Sequence, residues 1–292
     1  MNLNMEKEKM VSEVVEVNPE KLKQVKEKMA AEGPNKLHIV TDFDKTLTYA
    51  FAGGRKIESL IAVLREEGYL TPDYPEKAKA LAAKYKPIED DPNIPLVEKK
   101  QAMRQWWLEH YELLAKSGLN KKDVEQAIKS SLIRLRDGVE DFFKLCAQKQ
   151  IPIVIISANG LGDASIVSFL KQKNILSKNV YIISNRLQWD KEGNFVGVRE
   201  PIIHSFNKDE EMIKYFPEIE ERAKGRGNII LLGDGLGDAD MARGVGYKRI
   251  IKVGFLNSKK DKRLDAFKEH YDIIITGDSS FEYVNKLMVE VV

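Results

Sequence analysis

Lys36-Leu-His-Ile-Val-Thr-Asp-Phe-Asp-Lys-Thr-Leu-Thr48 decides how the rest of this chain is read. A short run rich in β-branched residues stops abruptly at Asp42, as a buried parallel strand does on reaching the carboxyl edge of its sheet. Ligands and chemistry in open α/β sheets gather at that edge. Strand side chains alternate, so Asp42 and Asp44 leave on one side while Phe43 turns to the other. Two carboxylates then share one small space, which is unfavourable unless a cation lies between them or one carries a proton. Either outcome suits phosphoryl chemistry: one carboxylate can attack phosphorus, the other can move a proton, and a metal ion can neutralise the phosphate.

Asp-x-Asp on its own is equally compatible with two caps of the turn that follows the strand. The continuation Lys45-Thr-Leu-Thr narrows the reading. Asp-x-Asp-x-Thr-Leu-Thr after an apolar strand resembles the first motif of the haloacid dehalogenase superfamily of aspartate-nucleophile phosphatases.

The chain has 292 residues, 43% apolar and 32% charged, the composition of a globular protein with a substantial core. Lys plus Arg number 47 against 45 Asp plus Glu, a net charge of +2, which argues against a nucleic-acid surface or a polybasic membrane anchor. Cys146 is the single cysteine, so no intramolecular disulfide can form; a reducing compartment and a packing role are expected for it. No apolar run approaches the roughly 20 residues needed to span a bilayer. The charged N-terminus lacks the apolar segment of a signal peptide, so a cytoplasmic location is expected.

Residues 1–17 read as a frayed or disordered N-terminus. Asn18-Pro19-Glu20 supplies an N-cap, a first-turn proline and an acid, followed by Leu22, Val25 and Met29 at helical spacing. Residues 57–135 are helical in pattern, with breaks at Gly68, at Thr71-Pro72-Asp73 and from Pro87 to Pro95. Inserted directly after the first strand, this block would lie over the active edge as a cap. From residue 136 onward strand and helix alternate, with apolar runs at Ile151–Ile156, Val180–Ile183, Ile229–Leu232, Ile250–Val253 and Ile273–Ile275. The expected fold is α/β: a doubly wound, Rossmann-like parallel sheet of residues 18–56 and 136–292 carrying a helical cap. Asp190-Lys-Glu-Gly-Asn194, flanked by Trp189 and Phe195, reads as a β-hairpin. Gly-Leu-Gly-Asp-Ala occurs at Gly160–Ala164 and Gly235–Ala239, read as two similar strand-to-helix loops and no duplication.

Further polar residues fall at strand ends. Ser157, followed by Ala158, Asn159 and Gly160, places a hydroxyl and backbone amides at the edge that holds Asp42, an arrangement fit for phosphate or for plain helix capping. Asp234 ends the Ile229–Leu232 strand, and Asp238 sits near the next helix start, where capping is its rival role. An acid between an apolar strand and a glycine loop needs a partner, and magnesium takes oxygen ligands. Lys208 lies at an expected helix start, where the helix dipole disfavours a cation unless an anion is present; a solvated surface position is the alternative.

In this order the motifs resemble the cytosolic pyrimidine 5′-nucleotidase family, from about Asn18 to the C-terminus. The supporting stretches are Asn18-Pro-Glu-Lys, Thr41-Asp-Phe-Asp-Lys-Thr-Leu-Thr, Pro87-Ile-Glu-Asp-Asp-Pro, Glu98-Lys with Trp106-Trp107, Ile203-His-Ser-Phe-Asn-Lys and Leu232-Gly-Asp-Gly-Leu-Gly-Asp. One departure is visible: the family usually reads Ser-Ala-Gly where this chain inserts Asn159. The resemblance implies Asp42 as nucleophile, Asp44 as acid and then base, and Mg²⁺ held by the carboxylates of Asp42 and Asp234 and the backbone carbonyl of Asp44. It further implies that Asp238 supports the metal, that Ser157, Ala158, Asn159 and Lys208 hold the phosphate, and that Glu89 accepts a hydrogen bond from the base. The implied activity is hydrolysis of nucleoside 5′-monophosphates, UMP or CMP. The partner is thus a small nucleotide, with no nucleic-acid polymer and no membrane. Rival substrates are 7-methyl-GMP, phosphoserine or a sugar phosphate, and a non-catalytic phosphate-binding module is a third reading.

Trp106 and Trp107 point about 100° apart on a helix. Met103, Trp106, His110 and Leu113 form one stripe, and Met103, Trp107, Tyr111 and Leu114 another; one is expected to fill the cap's core, the other to face the cleft and stack on a base. His38, His110, His204 and His270 form no close pair suited to zinc and are read as packing or surface residues.

Overall fold

A computed structural model describes residues 12–57, 59–91, 93–208, 221, 224–243, 246–258 and 260–292. Its strands in chain order are β1 (Val14–Glu16), β2 (Leu37–Thr41), β3 (Phe51–Ala52), β4 (Arg55–Lys56), β5 (Ile153–Ile156), β6 (Val180–Ile183), β7 (Arg186–Trp189), β8 (Phe195–Arg199), β9 (Asn228–Gly233), β10 (Arg249–Leu256) and β11 (Ile273–Thr276). Seven of them make one sheet in the order β1-β11-β10-β9-β2-β5-β6, parallel except for β1. Strand β2 is buried along its whole length because it has neighbours on both edges and helices over both faces. The chain steps from β2 outward through β5 and β6, then returns to the other side of β2 with β9. That reversal makes the carboxyl ends of β2 and β9 a topological switch point, where a crevice opens.

The helices are α1 (Pro19–Glu32), α2 (Leu60–Glu66), α3 (Tyr74–Asp90), α4 (Leu96–Lys116), α5 (Lys121–Ala127), α6 (Val139–Gln148), α7 (Gly162–Gln172), α8 (Lys260–His270) and α9 (Glu282–Val291). Alternation along the strands sorts the core into two layers. Ile39, Ile153, Ile155, Ile230, Leu232 and Val253 join residues of α1, α6, α7 and α9, while Val40, Val154, Ile229, Leu231 and Ile274 meet Phe267 of α8. Asn18 caps α1 by accepting from the Lys21 amide at 3.0 Å.

Helices α2–α5 all fall between β4 and α6 and form the expected cap. The ribbon β7–β8, with Trp189 opposite Phe195, straps this layer to the core. The Phe195 amide donates to Leu119 O at 2.9 Å, and the Lys121 amide to Gly193 O at 2.9 Å.

Two local expectations are corrected. Val14–Glu16, placed in a frayed terminus, forms an antiparallel edge strand on β11, because its β-branched residues meet an open ladder. The Thr276 amide donates to Glu13 O at 2.8 Å. Residues 1–11 lie outside the described residues. The break expected from Pro87 begins only at Asp91, since α3 runs on to Asp90. Proline removes one helical donor, but the ladder closes beyond it, with the Asp91 amide on Pro87 O at 3.1 Å. Glu89 therefore stands on the last turn of a helix and not in a loop, and Lys99 Nζ donates to its carbonyl at 3.0 Å.

Candidate active site

Asp42 leaves β2 with its amide tied to Leu232 O of β9 at 3.0 Å, so the ends of the two central strands are locked together. Phe43 turns away as alternation requires and packs edge-on against Phe169, with ring centres 5.7 Å apart. Burying such a ring contributes about 2 kcal/mol, which holds the flanking acids in place. Lys45 then adopts φ 62°, a left-handed conformation unusual for a lysine. Its carbonyl is gripped by Arg136 Nη2 at 2.6 Å and Asn257 Nδ2 at 2.9 Å.

Arg136 is a residue that sequence reasoning missed. It is fully buried, and it donates from Nε to Thr46 O at 2.8 Å and from Nη2 to Asn257 Oδ1 at 2.6 Å. Its Nη1 lies 3.2 Å from Asp278, which in turn accepts from the Ala50 and Phe51 amides. The turn after the acids is thus fastened from below by charge-assisted bonds. Nothing local separates Arg136 from Arg134, which packs its guanidinium over Tyr49.

Above this turn the carboxylates converge. Asp42 accepts from Lys208 Nζ at 2.5 Å and from Thr46 Oγ1 at 3.4 Å. Lys208 also reaches Asp238 Oδ1 at 3.1 Å. The other Asp238 oxygen folds back onto the Asp234 and Gly235 amides at 3.1 and 2.8 Å. Asp238 lies within a 3-10 turn, Gly237–Asp240, whose N-cap is Leu236, so it braces its own loop instead of capping a helix. Tyr271 supports the same loop through a hydroxyl bond to Gly235 O. Asp234 pairs with Lys45 Nζ at 3.1 Å. Asp42, Asp234 and Asp238 each offer an oxygen within 4.8 Å of the others. An all-oxygen donor set of that size fits a hard divalent cation such as Mg²⁺.

Asp44 turns toward the start of α2 and the loop after β5. It accepts from the Leu60 amide at the start of α2 at 3.1 Å and from Asn159 Nδ2 at 3.4 Å. Burial pushes its carboxyl up to about 7, against the pull of the Leu60 amide and of Lys45 and Lys208. Burial likewise raises Asp42, opposed by Lys208 and reinforced by Asp238 and Asp234. Lys208 is held above the usual lysine range: burial opposes its charge, but Asp238 and Asp42 outweigh it. The helix expected after Lys208 lies outside the described residues.

These groups open into a cavity of about 350 Å³ lined by Asp42, Asp44, Asp234, Ser157, Ala158 and Lys208 on the sheet side, within the usual range for small-molecule sites. On the cap side Glu89, Trp106 and Trp107 line it with Met103 and His110. Both tryptophans thus reach the cleft, and the two stripes do not divide as expected; Tyr111 and Leu114 are buried, while the tryptophans remain half-buried. Trp106 stacks on Tyr85 at 5.8 Å, and Trp107 lies between His110 and Tyr111 at 5.8 and 5.5 Å. Asn159, expected among the phosphate ligands, turns inward: its Oδ1 accepts from the Leu161 amide at 2.7 Å while its Nδ2 meets Asp44. The inserted residue closes the loop onto itself. Gly160 leaves room for the cap, since a Cβ there would lie 2.5 Å from Ile61 Cδ1 and 2.7 Å from Trp107.

A capped α/β fold with paired acids at the switch point defines the haloacid dehalogenase class of phosphatases. Phosphoserine phosphatase, solved as a phospho-aspartyl intermediate analogue, shares this fold with TM-score 0.52 and 22% identity over 86% of this chain and 97% of that one. The pyrimidine 5′-nucleotidase (UMPH-1) family matches residues 45–292, and the chain belongs to that family. The 7-methylguanosine phosphate-specific 5′-nucleotidase of Gallus gallus is 33% identical over 274 residues, 92% of this chain and 93% of its own. The Homo sapiens protein of the same name is 32% identical over 260 residues, 88% and 85% of the two chains. The solved cytosolic 5′-nucleotidase IIIB bound to cytidine superposes with TM-score 0.84 at 29% identity, covering 95% and 93%.

Proposed function

We propose that the protein hydrolyses nucleoside 5′-monophosphates, UMP or CMP, to nucleoside and phosphate with Mg²⁺ as cofactor. The observation that carries this reading is that one cavity has acids, Ser157 and Lys208 on one side and Glu89, Trp106 and Trp107 on the other. In this reading residues 18–56 and 136–292 bind and cleave the phosphate, and residues 57–135 receive the base. The family description and the cytidine held by the solved relative support a pyrimidine.

An Asp42 oxygen attacks phosphorus and the bond to O5′ breaks, leaving an aspartyl-phosphate. Asp44, whose raised value keeps a proton available near neutrality, donates it to the departing O5′. The same carboxylate then takes a proton from the water that attacks phosphorus, which releases phosphate and restores Asp42. Lys208 and Ser157 hold the phosphoryl oxygens as charge redistributes. Mg²⁺, held by Asp42 and Asp234 with the Asp44 carbonyl and steadied by Asp238, would offset the charge of the phosphate. The base stacks on a tryptophan, worth about 1–3 kcal/mol, and Glu89 accepts a hydrogen bond from it. One Glu89 oxygen is already bonded to Lys86 at 2.7 Å, which fixes the carboxylate toward the cavity it lines. A cytosolic location accords with the cytosolic names of relatives, and no described helix is long and apolar enough to cross a membrane.

Phosphate release from a panel of nucleoside monophosphates, with and without EDTA, tests the reading. Asp42→Asn is isosteric and cannot form the acyl phosphate, so it should abolish turnover while the unfolding midpoint stays near wild type. Wild-type-like turnover by that variant, or turnover indifferent to EDTA, would sink the proposal.

A further inference from the structure

We propose that Arg65 is a specificity residue that favours a neutral, carbonyl-bearing pyrimidine over the cationic 7-methylguanine base; the proposal rests on the nucleotidase reading above. Arg65 stands on α2, is half-buried, and lines the cap side of the cavity near Ala82, Trp107 and His110. Among the described residues its guanidinium has no hydrogen-bond or ion-pair partner. The other cation that the cap contributes to the cavity lining is compensated, since Lys86 pairs with Glu89 at 2.7 Å and Asp90 at 3.2 Å. His110 is bonded through Nε2 to the Tyr74 hydroxyl at 3.1 Å and is held neutral by burial and by the charge of Arg65.

Arg65 is thus a cation of the cavity lining with no ion-pair partner among the described residues, in a partly desolvated place where charge interactions exceed their strength in water. Stacking on Trp106 or Trp107 admits every base and attracts a cationic one further through the ring face. Arg65 opposes that attraction. Methylation at N7 gives guanine a positive charge, which the guanidinium repels, whereas a neutral uracil or cytosine offers it a carbonyl oxygen as acceptor without that repulsion. Several relatives are named for 7-methylguanosine phosphate; this chain departs from that preference.

The test measures kcat/KM for UMP, CMP and 7-methylguanosine 5′-monophosphate with wild type, Arg65→Gln and Arg65→Glu. Each value is normalised to the same protein's turnover of p-nitrophenyl phosphate, with circular dichroism to confirm folding. Wild type should favour UMP by on the order of tenfold or more. Arg65→Gln, which keeps donors and loses the charge, should shift the ratio toward 7-methylguanosine monophosphate by about tenfold, and Arg65→Glu further. Uridine and 7-methylguanosine titrated against tryptophan fluorescence should show the same reversal without turnover. Ratios that stay within about twofold across the variants overturn the role of Arg65 and leave the nucleotidase reading intact; a wild type that prefers 7-methylguanosine monophosphate overturns that role together with the pyrimidine preference, and leaves nucleotide hydrolysis standing. A wild type that cleaves p-nitrophenyl phosphate and none of the nucleotides overturns both.

Discussion

Asp42, Asp234 and Asp238 each offer an oxygen within 4.8 Å of the others, and Asp234 is the least committed of the three. It follows β9, its neighbour Asp238 is already committed to two loop amides and Lys208, and among the described residues its own carboxylate forms an ion pair only with the flexible Lys45. A lysine on a long stem can withdraw when a cation arrives, whereas Asp238 cannot turn without releasing the loop amides. Asp234→Asn should therefore raise the Mg²⁺ concentration for half-maximal activity by on the order of 10- to 100-fold. Partial recovery at high Mg²⁺ is expected, and a titration that coincides with wild type would show that Asp234 is not a ligand. Arg136 belongs to the same scale: a buried guanidinium satisfied by the carbonyls of Lys45 and Thr46 stabilises a backbone that Lys45 alone would resist.

Among the elements, the approach of α2 and α4 to the loop after β5 is the contact on which the cavity's shape depends. Gly160 permits it, because Ile61 and Trp107 occupy the space a side chain would need. Trp107 cannot easily yield, being stacked between His110 and Tyr111. Gly160→Ala should cost about 1–3 kcal/mol by overpacking and lower kcat/KM for nucleotides, as the cap tilts away and the Leu60 amide loosens from Asp44. Urea unfolding and steady-state kinetics read both effects. Wild-type values in both would mean that the cap does not rest on this loop in solution.

For the whole molecule, acid sensitivity follows from histidines enclosed without charge. Burial lowers His38 and His110 from the ordinary 6.5 to about 4, with Arg65 adding to the effect on His110. Both are neutral in folded and unfolded chains above pH 6.5, so their full contribution is present there. As pH falls from 6.5 through 4 the unfolded chain takes up protons that the folded one refuses, and stability drops. At pH 5 each contributes a loss of about 2 kcal/mol. Asp42 and Asp44, raised in the fold, act with the opposite sign. The share of His38 is therefore read as the difference between wild type and His38→Phe in unfolding free energy at pH 7.5 and pH 5. Equal pH dependence in the two proteins would refute it.

The strands β2, β5, β6, β9, β10 and β11, the hairpin around Asp190–Asn194 and the acids at two strand ends were legible in the sequence. Each depends on local signals: β-branched runs, turn residues, and polarity that changes abruptly where a buried strand ends. What only the tertiary structure decided depends on partners far along the chain. Val14–Glu16 is a strand because β11, some 260 residues on, offers it an open edge. Glu89 is the local exception, on a helix because the ladder beyond Pro87 closes within four residues despite the lost donor. Asn159 meets Asp44, Arg136 reaches under the turn after β2, and Arg65 lines the cavity with no ion-pair partner among the described residues. No window of sequence contains those neighbours, and a polar side chain's role is set by what the fold places within hydrogen-bonding distance of it.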